Sequence, residues 1–162
     1  MKNLIHSLLI IFSFSLMMSC GPKIIIDEYK DISTGIWAAD SIASFDFIIE
    51  DTVINYEIMY NVRYASSYPY YNLFVTYYLE DSVGNILATD LQDLTLFNKK
   101  SGEALGEGIG DLYDREIPIF DKFEFTTSGK YSFKVKQFMR MEELPGVISF
   151  GLKVIEAEEE ED

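Results

Sequence analysis

Hydrophobic and polar residues alternate with a period of two along four stretches of this chain. In residues 53–65, Tyr56, Ile58, Tyr60, Val62 and Tyr64 share one register. The same alternation returns in residues 72–80, 130–138 and 147–155. Strict alternation is typical of a β-strand that buries one face in a core. The sequence therefore predicts four long strands.

Five shorter apolar segments lie between these stretches, at residues 24–30, 44–50, 85–90, 93–98 and 123–127. Turn residues separate them, and no long segment has a helical period; only residues 139–146 could hold a helical turn. Eight or nine strands with regular turns predict an all-β fold. We expect a single antiparallel β-sandwich or jelly-roll-like domain.

The first 20 residues have a different pattern. Lys2 precedes an acid-free apolar run from Leu4 to Met18, which is shorter than the roughly 20 residues of a membrane-spanning helix. A positive start and a short apolar middle are typical of a cleaved secretory signal. Residues 16–20, "LMMSC", resemble a bacterial lipobox, although Met17 stands where leucine is more common. Cleavage after Ser15 is the alternative.

Cys20 is the only cysteine of the chain, so an unmodified thiol would have no partner in an oxidising compartment. Acylation of Cys20 would explain this lone thiol. Each buried methylene of an acyl chain contributes about 0.8 kcal/mol to membrane binding, and two or more chains hold a protein firmly on a bilayer. The predicted organisation is a signal peptide over 1–19, a β-sandwich domain over 20–155 and an acidic tail over 156–162. No aspartate stands directly after Cys20, which favours the periplasmic leaflet of the outer membrane as the site of the anchor.

Charge and residue content exclude several classes of function. The 162-residue chain has a net charge of −14, and six acids lie in its last seven residues. Nucleic acid is therefore not an expected partner, because binding phosphates requires a basic surface. His6, the only histidine, leaves with the signal peptide, which excludes a Ser-His-Asp centre and a His-based zinc site.

Other enzymatic chemistry has little support in the sequence. A glycosidase needs two carboxylates across a cleft, and Glu57 has no obvious mate. A serine–lysine centre stays open, but no spacing favours it. We expect no catalytic residues, no metal and no cofactor.

Tyrosines are concentrated in one region, since eight of the eleven lie between Tyr56 and Tyr78. Those in the alternating register are expected in the core, because tyrosine packs its ring and keeps its hydroxyl near water. The turn "SYPYYN" places Tyr68, Tyr70 and Tyr71 around Pro69. These rings could equally fill the core or contact a sugar or a protein.

A glycine-rich segment, "SGEALGEGIGDLYD", places Gly106, Gly108 and Gly110 two residues apart. This spacing does not match a phosphate-binding loop. The nearby acids could bind calcium, but they lack the ligand order of an EF-hand. Glycines at alternate positions leave one face of a strand without side chains, so that a backbone or a ring can approach it closely. A structural turn is the favoured interpretation of this segment.

Several of these segments together resemble one known family. They are the lipobox, residues 46–81, "LGEGIGDLYD", and residues 129–154, with "YPYYNL", "QFMR" and "LPGVISFGLKV" as the most specific parts. The chain resembles the gliding-motility GldH lipoproteins of Bacteroidetes over nearly all of its predicted mature length. The resemblance implies an envelope lipoprotein that serves gliding, a process tied to type IX secretion.

The expected function is accordingly a non-enzymatic interaction module that contacts other gliding or secretion proteins and is fastened to the bilayer by Cys20. The alternative is a glycan- or peptidoglycan-binding lipoprotein with the same fold. The candidate contact residues are Tyr68, Pro69, Tyr70, Tyr71, Asn72, Gly106, Gly108, Gly110, Asp111, Gln137 and Arg140.

Overall fold

The structure, a computed structural model, describes residues 21–158 and consists of β-strands joined by turns. A 3-10 turn at Ser33–Gly35 precedes the second strand. The strands are β1 (Ile24–Asp31), β2 (Ile36–Ala38), β3 (Ala43–Ile49), β4 (Tyr56–Ala65), β5 (Asn72–Asp81), β6 (Ile86–Thr95), β7 (Glu107–Ile109), β8 (Leu112–Phe123), β9 (Gly129–Gln137), β10 (Glu143–Pro145) and β11 (Val147–Glu156).

Two large antiparallel sheets form the sandwich. The five-stranded sheet has the order β1-β11-β4-β8-β7, and the four-stranded sheet has the order β3-β9-β5-β6. Strands β2 and β10 form a small third sheet. The all-β sandwich expected from the sequence is confirmed.

Aromatic rings from both sheets meet in the core. Phe133 of the four-stranded sheet lies edge-on to Tyr60 of the five-stranded sheet, with ring centroids 6.1 Å apart. Tyr77 stacks on Phe133 at 5.2 Å. Tyr56, Tyr60, Tyr64 and Tyr77 are all buried, as their register predicts. The hydroxyl of Tyr60 is the exception in this core, because it has no hydrogen-bond partner among the described residues.

The four alternating stretches correspond to β4, β5, β9 and β11, but other parts of the chain differ from expectation. Residues 85–90 and 93–98 were expected as separate strands, whereas β6 runs from the first segment into the second without a break and ends at Thr95. Strand β8 was not expected. Its register against β4 shifts twice near Ile58, and these irregularities break the alternation that would have revealed a strand.

Two further expectations are wrong. The segment 123–127 is not a strand beyond Phe123, and Phe125 reaches the core from a loop. Residues 139–146 do not form a helical turn; they contain β10, whose Leu144 pairs with Trp37 and is buried.

The two ends of the sandwich are different. One end is here called the anchor end because it follows Cys20, the predicted acylation site. There the Glu156 N–H donates to the Lys23 carbonyl at 3.0 Å, and the Lys23 ammonium pairs with the Glu156 carboxylate at 3.1 Å. The first described residue, Gly21, is two positions before Lys23. Strand β4 begins at this end and runs 10 residues, about 30 Å, to Ala65. Residues 66–71, 105–111 and 138–146 form the opposite end, here called the tyrosine end.

Candidate contact surface

Tyr68 holds the tyrosine-rich turn in place. Its ring is only 5% exposed and stacks on Phe97, while its hydroxyl donates to the Asn72 carbonyl at 2.8 Å. Tyr70 lies edge-on to Tyr68 with centroids 5.9 Å apart. Tyr68 is therefore a support for the turn, and its own ring does not face solvent.

The turn rests directly on Gly146. This glycine has a φ of +91°, and a Cβ at its position would lie 2.9 Å from the Tyr68 Cα. Its carbonyl accepts a hydrogen bond from the Ala65 N–H at 2.8 Å, and its N–H donates to the Gly35 carbonyl at 2.8 Å. Only glycine combines this left-handed backbone with so close an approach. Residues 144–146, "LPG", therefore pack directly against the tyrosine turn, "YPYY".

Tyr70 and Tyr71 are the exposed members of the turn, at 38% and 39% of their surface. The Tyr70 hydroxyl donates to the Met141 sulfur at 2.9 Å. The Lys99 ammonium lies 5.0 Å from the centroid of the Tyr71 ring, within the range of a cation–π interaction. Both rings are held by neighbours and still present a face to solvent.

The glycine stretch forms a hairpin, with β7 and β8 joined at Gly110 and Asp111. A Cβ on Gly108 would meet the Tyr113 ring, and one on Gly106 would lie 2.5 Å from the Asp114 carbonyl oxygen. The Asp111 carbonyl accepts a hydrogen bond from the Ser66 N–H at 2.8 Å. The bare glycine face is therefore filled from within the protein, and the hairpin is fastened beside the tyrosine turn.

Gln137 and Asn72 fasten the same end from the four-stranded sheet. The buried Gln137 amide donates to the Met141 carbonyl at 2.9 Å and accepts from the Met139 N–H at 2.7 Å. The buried Asn72 amide donates to the Asp93 carboxylate at 2.6 Å. Both side chains therefore form hydrogen bonds within the protein.

The candidate residues thus divide into two groups. The structure brings together all three segments that carry them. Tyr68, Asn72 and Gln137 are buried supports, and Gly106 is half-buried. Exposed positions are Pro69, Tyr70, Tyr71, Gly108, Gly110, Asp111 and Arg140. Cys20 and the predicted signal peptide lie outside the described residues, as do residues 159–162 of the predicted acidic tail.

Exposed apolar side chains at this end were missed by sequence reasoning. Ile109 and Leu112 project from the hairpin, and Phe138 follows directly after β9. The signal for Phe138 was present, since it continues the outward register of Lys134 and Lys136.

The buried hydroxyls of Tyr64 and Tyr68 act as hydrogen-bonding groups. Burial raises the pKa of the Tyr68 hydroxyl and, more modestly, that of Tyr64. Both phenols therefore stay protonated at neutral pH. Among residues 21–158, no group of three or more His, Cys, Asp or Glu side chains is placed to hold a metal ion.

A model of the GldH lipoprotein family matches residues 24–154, which includes every segment at the tyrosine end. The chain belongs to this family. It is 30% identical to the gliding motility lipoprotein GldH homolog of Christiangramia forsetii, over 95% of this chain and 97% of that protein. It is 28% identical to the gliding motility lipoprotein GldH of Flavobacterium johnsoniae, over 92% of this chain and 95% of that protein.

Among solved structures, an infectious bursal disease virus (Gx strain) structure is similar at a TM-score of 0.37 and 16% identity, covering 85% of this chain and 32% of that one. At that score the similarity does not establish a shared fold.

Membership in a lipoprotein family gives a lipid-anchored location in the cell envelope. No helix within residues 21–158 is long and apolar enough to cross a bilayer.

Proposed function

We propose that this GldH lipoprotein is a non-enzymatic interaction module of the gliding and type IX secretion machinery, held by an acylated Cys20 at the periplasmic face of the outer membrane. Its tyrosine end makes the functional contact. Tyr70, Tyr71, Asp111 and Arg140 are the side chains that meet the partner, and Tyr68, Asn72 and Gln137 hold them in place.

One observation carries this proposal. The three sequence segments that most resemble the family meet at one end of the sandwich, although they begin at residues 68, 105 and 137. Hydrogen bonds join the tyrosine turn both to the glycine hairpin, through Ser66 and Asp111, and to residues 138–146, through Tyr70 and Met141. In addition to the structural roles of Tyr68, Asn72 and Gln137, this shared location supports a common task for the three segments.

The position of the anchor supports the same conclusion. Cys20 immediately precedes Gly21, so an acyl anchor there leaves from the end of the domain that carries Lys23 and Glu156. The length of β4 then separates the tyrosine end from the anchor end of the domain by about 30 Å. A surface at this distance is free to meet another envelope protein.

The chemistry of the tyrosine end favours contact over catalysis. Its buried tyrosines are protonated donors, and its buried amides are hydrogen bonded to neighbouring groups. General acid–base work needs a group that titrates near the operating pH, and histidine, the usual one, is absent beyond residue 6.

The test is a Cys20→Ala substitution made in a gliding bacterium that carries this protein. We expect the variant to leave the membrane fraction and the cells to stop spreading on agar. Normal spreading with the protein released from membranes would overturn the proposal. A variant that stays membrane-bound would show that Cys20 is not the anchor.

A second function is favoured by one observation, the exposure of the neighbouring Tyr70 and Tyr71 rings, which could stack on sugars. On this alternative, purified protein binds a glycan or peptidoglycan array, and a Tyr70→Ala, Tyr71→Ala double variant loses that binding. A blank array favours the protein partner.

A further inference from the structure

The outer face of the four-stranded sheet carries apolar side chains next to the tyrosine end. Phe74 and Tyr78 point outward from β5, because the residues between them, Val75 and Tyr77, are in the core. Phe138 lies opposite Phe74, where its N–H donates to the Phe74 carbonyl at 2.7 Å, and it is 56% exposed. Leu91 pairs with Thr76 on the same face and is 48% exposed.

Together with Lys136, these residues make up what we call the aromatic face: Phe74, Tyr78, Leu91, Lys136 and Phe138. Lys136 pairs with Thr76 across the sheet, and its ammonium lies 6.0 Å from the centroid of the Tyr78 ring. The aromatic face continues toward the tyrosine end, where Met139 accepts a hydrogen bond from the Phe74 N–H and Met141 accepts one from Tyr70.

Some of the positive charges on the two sheets are paired with carboxylates and others are not. On the five-stranded sheet, Arg63 pairs with Asp114 at 2.8 Å and Lys153 with Glu116 at 2.9 Å. On the outer face of the four-stranded sheet, Lys134 pairs with Glu80 at 2.6 Å. Three other cations have no carboxylate partner among the described residues: Lys136, Arg140, and Lys99 beside Tyr71. The chain carries 27 acids against 13 basic residues, so cations without a carboxylate partner are notable here.

We infer that the aromatic face, with Lys99 and Arg140 at the edge nearest the tyrosine end, docks a folded protein whose complementary surface is an apolar patch bordered by carboxylates. This inference rests on the proposed function, because it names the kind of partner that the interaction module takes. Exposed aromatic rings supply the apolar centre of an interface, and the cations supply charge complementarity and orientation.

Other occupants fit the observations less well. A neutral glycan gains nothing from three cations. An anionic membrane surface would attract them, but Lys99 and Arg140 lie at the end of the sandwich away from the acyl anchor. A second copy of this chain offers acids on its five-stranded sheet, but two of them, Asp114 and Glu116, are already paired with Arg63 and Lys153.

Zero-length cross-linking of intact cells tests the inference through its chemistry. A water-soluble carbodiimide activates a carboxylate, and a lysine amine in contact then forms an amide while the carbodiimide leaves as its urea. Mass spectrometry of the linked peptides identifies both residues. We expect Lys136 to be joined to an aspartate or glutamate of another envelope protein.

Lys130 provides the internal control, since it is exposed on the outer face of the same strand, β9, at the anchor end. We expect Lys130 to give no such link. Equal linkage of Lys130 and Lys136 would overturn the inference, as would Lys136 links confined to this chain's own sequence. Absence of any protein link, with binding to anionic vesicles, would assign the face to a membrane.

Charge reversal completes the experiment. Lys136→Glu should abolish both the cross-linked partner and spreading, whereas Lys130→Glu should change neither; circular dichroism and thermal unfolding check that both variants fold. Normal spreading of Lys136→Glu with loss of spreading in the Tyr70→Ala, Tyr71→Ala variant would overturn this inference and leave the proposed function standing. Normal spreading of Cys20→Ala would instead overturn the proposed function itself.

Discussion

The hydroxyl of Tyr64 accepts a hydrogen bond from the Gly106 N–H at 3.2 Å. The same hydroxyl donates to the Leu96 carbonyl at 2.8 Å. One buried side chain on β4 therefore satisfies two backbone groups from the segment that precedes the glycine hairpin. The ring also stacks on Tyr113, whose ring occupies the space above Gly108. Through these contacts, the core positions the hairpin at the tyrosine end.

Tyr64→Phe should destabilise the domain measurably. The change leaves the Gly106 N–H without its partner, and it removes one of the two hydrogen bonds that the Leu96 carbonyl accepts. An unsatisfied buried group costs about 1–3 kcal/mol. Chemical denaturation of residues 21–158 measures the free energy of unfolding.

Tyr60→Phe is the matched control for this change, because Tyr60 is equally buried and its hydroxyl has no hydrogen-bond partner among the described residues. We expect this variant to be neutral or slightly more stable. Equal destabilisation by both substitutions would contradict the role given to the Tyr64 hydroxyl.

Gly146→Ala should damage the tyrosine turn specifically. The left-handed backbone alone costs an L-residue about 1–2 kcal/mol, and the new Cβ would also press on the Tyr68 backbone. We expect a larger loss of stability than strain alone gives, with a change in the near-ultraviolet circular dichroism of the tyrosines.

Gly84→Ala separates strain from packing, since Gly84 has a similar φ of +87° and no atom within 4 Å of the added Cβ. Its loss of unfolding free energy should be the smaller of the two. If Gly84→Ala proved as damaging as Gly146→Ala, the close approach to Tyr68 would have no energetic role.

Asp81 should make the β5–β6 turn sensitive to acid. Its carboxylate accepts hydrogen bonds from the Asn85 side-chain amide at 2.8 Å, the Asn85 N–H at 2.9 Å and the Val83 N–H at 3.0 Å. These bonds, led by that of the Asn85 side chain, lower the pKa of Asp81 below its ordinary value. A lowered pKa means that the stabilisation is complete above the ordinary carboxyl pKa and is lost as the pH falls through the folded-state value.

Carbon-detected NMR titration of Asp81 measures this effect directly. The midpoint should lie below that of an unperturbed aspartate and should rise in Asn85→Ala. A midpoint at the ordinary value in both proteins would show that the turn does not hold the carboxylate.

The sequence predicted the elements whose alternation is uninterrupted. Strand β9 alternates buried Tyr131, Phe133 and Val135 with lysines, so both its type and its inward face could be read directly. Strand β8 could not, because Pro118 and the irregular pairing near Ile58 disturb its register against β4. Strand β6 was expected as two segments. It carries Asp90 and Asp93, and charges of this kind are usual on an edge strand.

The candidate surface was only partly predictable for a related reason. Its three segments could be named from the sequence, but their meeting depends on pairs such as Ser66 with Asp111 and Tyr70 with Met141, which lie 45 and 71 residues apart. The close packing of the Tyr68 backbone depends on Gly146, which no local pattern connects to the turn.

The claim that the tyrosine end makes the contact is tested most directly by a photo-cross-linkable residue in gliding cells. It is placed at position 70 in one strain and at position 53 in another, because Val53 is 92% exposed in the loop between β3 and β4 at the anchor end. We predict that position 70 is joined to an identified gliding or type IX secretion protein and that position 53 is not. The same protein cross-linked from position 53 alone would contradict the account.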